Sequence, residues 1–595
     1  MRSAAASQLM TALLGVTGLA LCVGMMGYAF ERGLVVADGA FDFYRLTHPL
    51  TAFPYMDQFF WGQIVSVAHL NYSGVRWTAM ILVLLTGLAL GVSCLNSMRP
   101  IGQTAPDARL IWIFALSLCA LGAFFGGSIT RPNLNYTYSL VIGYYIFVAA
   151  MIASRSARGP WYALLLITMG AALALIFMAR APSAILALIY YAAYCWYFGT
   201  GQRFTKFLMS LLLISTIAAL LILMAIYFGY DILNQFRLLG VAFASDHGII
   251  DLIGPNFKST ILIASVALAG AAAYFSLVNV VGTDERGLLG CFVIGATTLA
   301  VLAIVCGMAA IGEFSDLLSS QNPLYVNITP RRILGPAIHA GAICLLLLLA
   351  LPFLSAKFTF LQKWVRPGND SRTASTLQFS LFLYAMSILP VAGTNNVLWS
   401  QSSVSIVPVF LVEALLVSDL LRRTQFAHWM VPVLAGLTGI LVLAGLYSGL
   451  LAQPDFENGS TWHQTAVLDH PVFLRGLLVV PPIKKFQHDL EMRLAAQGYD
   501  ATRDTLVTDS SDIGVIPLLG ATALGGGYLV ARPEKYQLWN CTVAGLGLRG
   551  APRRLYGIDI SRFTRDFVSC LPGYSQGRSM RVDDTVTITV FNGRE

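Results

Sequence analysis

The sequence predicts an α-helical polytopic membrane protein of about thirteen transmembrane helices, followed by a small C-terminal α/β domain. Three observations lead there. Only 11% of the 595 residues are charged and 56% are hydrophobic, whereas soluble domains carry about 25% charged residues. Apolar runs of membrane-spanning length recur along the chain, and past residue 451 the composition turns abruptly polar. A single soluble core stops growing near roughly 250–300 residues, so lipid is the remaining solvent for this much apolar surface.

Runs of roughly 17–22 apolar residues read as spans. They fall near 10–30, 78–96, 110–127, 137–153, 161–179, 183–199, 207–228, 260–281, 288–310, 336–355, 376–392, 403–420 and 430–451. The first follows Arg2, and no small-x-small cleavage site comes after it, so it reads as a retained span rather than a signal peptide. With the N-terminus in the cytoplasm, the inner segments hold 14 Lys/Arg and the loops between spans on the other side hold 9. The inner loops are also the shorter ones. This bias is the positive-inside pattern, and it absorbs the net charge of +8 without any basic run that would suit nucleic acid. A cytoplasmic-membrane protein with residues 1–451 in the bilayer and 452–595 outside the cytoplasm is the expectation.

Seven of the nine cysteines lie in apolar runs, where they serve as small core residues. Cys541 and Cys570 are alone in the tail, which suggests one disulfide if the tail faces an oxidising compartment. The tail begins at a linker marked by Pro454, Asn458, Gly459 and Ser460. Within it, 484–497 reads as an amphipathic helix, 505–508, 537–543 and 585–591 as strands, and 558–570 as a helix capped by Asp559. Gly525-Gly526-Gly527 reads as a turn, since it lacks the strand–Gly-x-Gly-x-x-Gly–helix context of a dinucleotide fingerprint. No Walker loop, nucleophile elbow or metal-ligand spacing stands out.

The long first external loop, 31–76, is the richest in chemistry. Its segments 40–48 and 57–70 mix aromatics with polar groups and read as helices lying on the membrane surface. Asp38 and Asp42 are four apart, which places them on one face of a helix. A carboxylate beside aromatics at a membrane surface can act as general base toward a hydroxyl. Asp57, in Pro54-Tyr55-Met56-Asp57-Gln58-Phe59, opens the second segment. The second external loop, Thr130-Arg131-Pro132-Asn133-Leu134-Asn135-Tyr136, offers amides and a guanidinium suited to sugar hydroxyls and phosphate oxygens. Arg331 and Arg332 beside the tenth span are the first-choice cations for a phosphate, with Arg45 next. Glu413 and His339 are ionisable groups inside spans. Glu413 reads as a hydrogen-bonded neutral acid or part of a proton path, and His339 as a structural donor.

The layout resembles the GT-C superfamily of membrane glycosyltransferases, in particular bacterial relatives of protein mannosyltransferases and lipid A aminoarabinose transferases. Those enzymes carry an acidic motif in the first external loop, then surface helices and a segment like Pro-Tyr-x-Asp-x-Phe, which Pro54–Phe59 is similar to. Asp38-Gly39 followed by Phe43-Tyr44 is similar to their Asp-Glu-Gly-Phe-Tyr form, with an insertion and without the Glu, so the counterpart of the catalytic acid is either Asp38 or Asp42. The loop 130–136 looks like their Pro-x-Tyr-Asn loop, and Gly393-Thr394-Asn395-Asn396 resembles a stretch in bacterial members. The resemblance covers the layout of 1–450 but not the tail.

It implies transfer of a sugar from a polyprenyl-phosphate donor to an envelope glycan, lipid or protein acceptor outside the cytoplasm. Asp38 or Asp42 would take the acceptor proton, and Asp57, Arg131, Asn133, Asn135, Tyr136, Arg331, Arg332, Asn395 and Asn396 would bind substrate. Paired acids also admit a divalent metal, and no cofactor is otherwise implied. The competing readings are a secondary transporter, on the strength of the spans and Glu413, and a polysaccharide polymerase or ligase.

Overall fold

A computed structural model describes residues 2–34, 38–47, 58–97, 105–129, 132–198, 204–228, 338–347, 371–391, 402–423, 427–452, 461–508, 514–524, 541–542, 544–545, 554–559, 570–582 and 586–593, with 264, 335 and 350 as single positions. Among the described residues of the first 228 there are nine helices: α1 (Arg2–Phe30), α2 (Asp38–Thr47), α3 (Gln58–Val67), α4 (Tyr72–Ser97), α5 (Ala105–Ile129), α6 (Tyr136–Ser154), α7 (Pro160–Ala179), α8 (Ala181–Phe198) and α9 (Phe204–Tyr227). Helices Ser371–Ile388, Val407–Arg423 and Ala427–Leu446 follow, with a shorter apolar helix at Ile338–Leu347.

Among the described residues, eight helices are long and apolar enough to cross a membrane, which makes this a multi-pass membrane protein. They coincide with the first seven expected spans and the last one. The expected spans at 260–281 and 288–310 lie outside the described residues. Those at 336–355, 376–392 and 403–420 correspond to the shorter helices. The second span starts earlier than its apolar run suggests, because Tyr72 and Arg76 are already helical and buried.

Short connections make successive helices antiparallel. Arg155–Gly159 joins α6 to α7, and the single residue Arg180 joins α7 to α8. One end of the bundle therefore collects the segment after α1, the start of α6 and the α7–α8 turn. The C-terminal domain sits at this same end.

Small residues let the helices approach closely. A Cβ on Gly170 of α7 would lie 2.7 Å from Ile217 Cβ of α9, and one on Gly126 of α5 would lie 2.5 Å from the Val404 carbonyl oxygen. Backbone cannot yield there as a flexible side chain can. Gly126→Ala is therefore expected to lower stability by about 1–3 kcal/mol, the usual cost of overpacking, read as an earlier thermal unfolding transition in detergent. An unchanged transition would show that the 403–405 turn shifts freely.

The tail opens with a two-stranded hairpin, β1 (Ala466–Val467) antiparallel to β2 (Leu478–Val479). The residues just past α1 join its edge: Leu478 N donates to Glu31 O at 2.9 Å and Gly33 N donates to Leu478 O at 2.8 Å. Helix Pro481–Ala496 follows, starting three residues before and ending one residue before the expected bounds. The main sheet has the order β3-β4-β6-β5, with β3 (Thr505–Val507) parallel to β4 (Arg554–Asp559) and β6 (Thr587–Gly593) antiparallel to both β4 and β5 (Tyr574–Arg581).

Two tail expectations are corrected. Ile558 and Asp559 end a central strand rather than opening a helix, because Leu555, Tyr556 and Ile558 are buried in the tail's core. Cys541 and Thr542 are helical rather than part of a strand over 537–543, whose first residues lie outside the described set. Cys541 is joined to Cys570 by a disulfide.

Candidate functional site

The short helix α2 is the centre of the site. It was expected to lie on the membrane surface, but Asp42, Phe43, Tyr44, Arg45 and Leu46 are all buried. Phe43 packs edge-on against Tyr72 of α4, with ring centroids 4.9 Å apart, and meets Phe473 of the tail at 5.3 Å. The helix is thus enclosed between the bundle and the C-terminal domain. By contrast α3 keeps a surface character: Trp61 and Val65 are buried while Ile64 and Val67 are exposed.

Within α2, Arg45 Nη1 donates to Asp42 Oδ1 at 3.3 Å across one helical turn. The second carboxylate oxygen, Oδ2, accepts from Asn135 Nδ2 at 2.9 Å, a contact between residues 93 positions apart. Asn135 is the N-cap of α6, and its Oδ1 accepts from Tyr138 N. That cap fixes the amide's orientation, since only Nδ2 is left to face the carboxylate. Below it, Ser139 Oγ donates to Asn135 O at 2.8 Å and accepts from Trp61 Nε1 of α3 at 2.7 Å. Helix α2 and the start of α6 therefore meet at one buried carboxylate, and Trp61 ties α3 to α6 one turn below it. Arg45 is fully buried and Asp42 is 6% exposed. In so dry a setting a charge pair of this kind is held by its geometry rather than by bulk solvation.

The second expected loop contributes further. Asn133 is buried, and its carbonyl accepts from Asn135 N at 2.8 Å. Tyr136, the first residue of α6, lies under the guanidinium of Arg180, 5.3 Å from ring centroid to carbon. Arg180 caps α7, and its Nη1 is buried without a hydrogen-bond partner among the described residues. Sequence reasoning counted Arg180 only as a loop charge. Its signal was its place in a one-residue turn before Ala181-Pro182, where a long side chain must fold back over the neighbouring helix start.

Asp38 begins α2, one turn before Asp42, but its side chain lies outside the described residues. Asp57, Arg131, Arg331, Arg332, Asn395 and Asn396 also lie outside them. Among the described residues no group of three or more His, Cys, Asp or Glu comes together as a metal site. Two of the partners of Asp42, a guanidinium and an amide N–H, both donate toward the carboxylate.

Away from this site, His339 is buried between two hydroxyls, Tyr384 OH at 3.2 Å from Nδ1 and Ser402 Oγ at 2.8 Å from Nε2. It ties the helices Ile338–Leu347 and Ser371–Ile388 to the turn before Val407. Glu413 lies on Val407–Arg423.

On the tail side of α2, Tyr44 joins the tail's own core. Nearby, burial pushes the Tyr499 phenol up, with the Asp504 carboxylate adding to it. No protein-family model matches the chain, and no curated protein or solved structure matches it either.

Proposed function

We propose that this chain is a membrane glycosyltransferase of GT-C type, with about thirteen spans and its tail outside the cytoplasm. It moves a sugar from a polyprenyl phosphate to an envelope glycan, lipid or protein. The observation that carries this reading is the Asp42–Asn135 contact at 2.9 Å. Residues that the sequence resemblance singles out in two separate loops meet at one buried carboxylate, on the side of the bundle where the tail sits. The pair of short helices between the first two membrane-crossing helices also fits the expected layout, and the Cys541–Cys570 disulfide suits an oxidising compartment.

The chemistry is one inverting displacement. The acceptor oxygen attacks the anomeric carbon and the bond to the phosphate oxygen breaks. The acceptor's proton passes to the carboxylate of Asp42, and polyprenyl phosphate leaves with the electron pair. Arg45 and Asn135 hold the carboxylate in place before the proton arrives. Phosphate is a good leaving group, so its departure needs cationic stabilisation more than a strong acid. Arg180, stacked on Tyr136 beside Asn135, is the described cation best placed for that role.

The test is transfer of labelled sugars from polyprenyl-phosphate donors by the purified protein in lipid vesicles, with membrane extract as acceptor. Label transfer is the expected result. Ion- or proton-coupled uptake with no transfer would reverse the reading in favour of a transporter. In the same assay Arg180→Ala is expected to lower kcat/KM for the donor by about tenfold or more, the worth of one charge-assisted hydrogen bond to phosphate. An unchanged kcat/KM would remove Arg180 from the donor site.

A further inference from the structure

The helix that carries Asp42 belongs to two cores at once. Successive residues on a helix are about 100° apart, so Asp42 and Tyr44 point to opposite sides. On one side Asp42 meets Asn135 of α6. On the other the Tyr44 ring, 1% exposed, belongs to the buried cluster that holds Leu490, Leu494, Leu506 and Leu524 of the C-terminal domain. Its hydroxyl accepts from Ala523 N at 2.9 Å, a bond spanning 479 positions. Phe43, between them, meets Phe473 of the β1–β2 hairpin. A ten-residue helix is too short to hold itself in water, so these contacts set its rotation and depth.

We propose that the C-terminal domain is the positioning element of the site: Tyr44, seated in the tail's core and bonded to Ala523, fixes α2 so that Asp42 stays against Asn135. Tyr44 is a positioning residue, two places from the acid and facing away from it. The inference rests on the transferase reading for its kinetic part, while its structural part can be read without any substrate.

The experiment uses full-length Tyr44→Ala, Tyr44→Phe and Phe473→Ala in lipid vesicles. Backbone amide exchange over 38–47 and transfer kinetics are measured on each. Tyr44→Ala is expected to speed exchange across α2 and to lower kcat by up to about 100-fold, the effect of displacing a catalytic group by roughly 1 Å. The KM for the donor should stay within about twofold, because no donor contact is touched. Tyr44→Phe keeps the ring and loses the hydroxyl that Ala523 N bonds, so most of kcat should return. Phe473→Ala attacks the same junction from the tail and should loosen α2 even if Tyr44→Ala folds poorly. Unchanged α2 exchange in both alanine variants would overturn the proposal, as would a rise in KM at constant kcat. If α2 loosens while the wild-type protein transfers no sugar, the positioning stands and the transferase reading alone fails.

Discussion

Arg76→Ala is expected to lower the stability of the folded protein by roughly 3–5 kcal/mol, more than any other single change considered outside the site. Arg76 opens the second turn of α4 and is 2% exposed. Its Nη1 donates to Phe30 O at 3.0 Å and to Arg32 O at 2.8 Å, and its Nη2 donates to Gly33 O at 2.7 Å. The guanidinium also lies 4.2 Å over the ring of Tyr72, one turn back. The last carbonyls of any helix lack partners within the helix. At the end of α1 Arg76 serves Phe30 O, while Arg32 serves Tyr28 O through its side chain and Ala29 O through its backbone N–H. Arg76 also secures the strip from Glu31 to Gly33 that pairs with the tail's hairpin.

Removing Arg76 leaves three carbonyls short of a donor in a region water reaches poorly. Each charge-assisted bond is worth about 1.5–3 kcal/mol, and the sum is reduced because the groups relax together. Arg76→Lys should recover less than half of the loss, since an ammonium is a point donor and cannot span three carbonyls in a fixed fork. Thermal unfolding in detergent, followed by loss of the monodisperse peak, measures this. An alanine variant that melts with the wild type would mean that water takes over the capping.

The bundle was readable in the sequence because lipid imposes one rule on every span: a run of apolar residues long enough to cross. The tail helix was readable over 484–497 because 487, 490 and 494 repeat on one face, and Gln487, Leu490 and Leu494 are residues the fold buries. What escaped is where polar side chains satisfy one another across long stretches of chain. Arg76 read as a loop charge, although the spacing from Tyr72 is that of a ring and a cation on one helix face. The segment around Asp42 read as half-wet because Phe43, Tyr44, Arg45 and Leu46 have no dry side by periodicity. Two cores enclose it, so both sides are dry. The strand over 554–559 was missed for a related reason. It is central in its sheet, with buried residues on both faces, and so lacks the strict alternation that marks a half-exposed strand. The residue types of the site in two loops were legible. Their meeting at Asp42 was not, since nothing local in the chain records that the cap of α6 uses one end of Asn135 and leaves the other for α2.

The same geometry sets the largest functional effect. Asp42→Asn is expected to reduce kcat for sugar transfer by about 10²–10⁴-fold, the usual contribution of a positioned general base. The substitution keeps the size and shape of the side chain, and its one amide oxygen can keep one of the two hydrogen bonds that Asp42 accepts, while Tyr44 and Ala523 still seat α2. What it loses is the capacity to take a proton from the acceptor hydroxyl and the negative charge that pairs with Arg45. If Asp42 is the base, kcat falls while the KM for the donor changes little, because the loss belongs to the transition state. Asp38→Asn, one turn earlier on α2, is the comparison that decides between the two acids. With Asp42 as base it should retain most of the transfer rate. A collapse of kcat in the Asp38 variant, with Asp42→Asn near wild type, would move the base by one helical turn. In that case the Asp42–Asn135–Arg45 cluster would hold α2 in place rather than take the proton. Amide exchange over 38–47 separates a variant that has lost its base from one that has lost its fold.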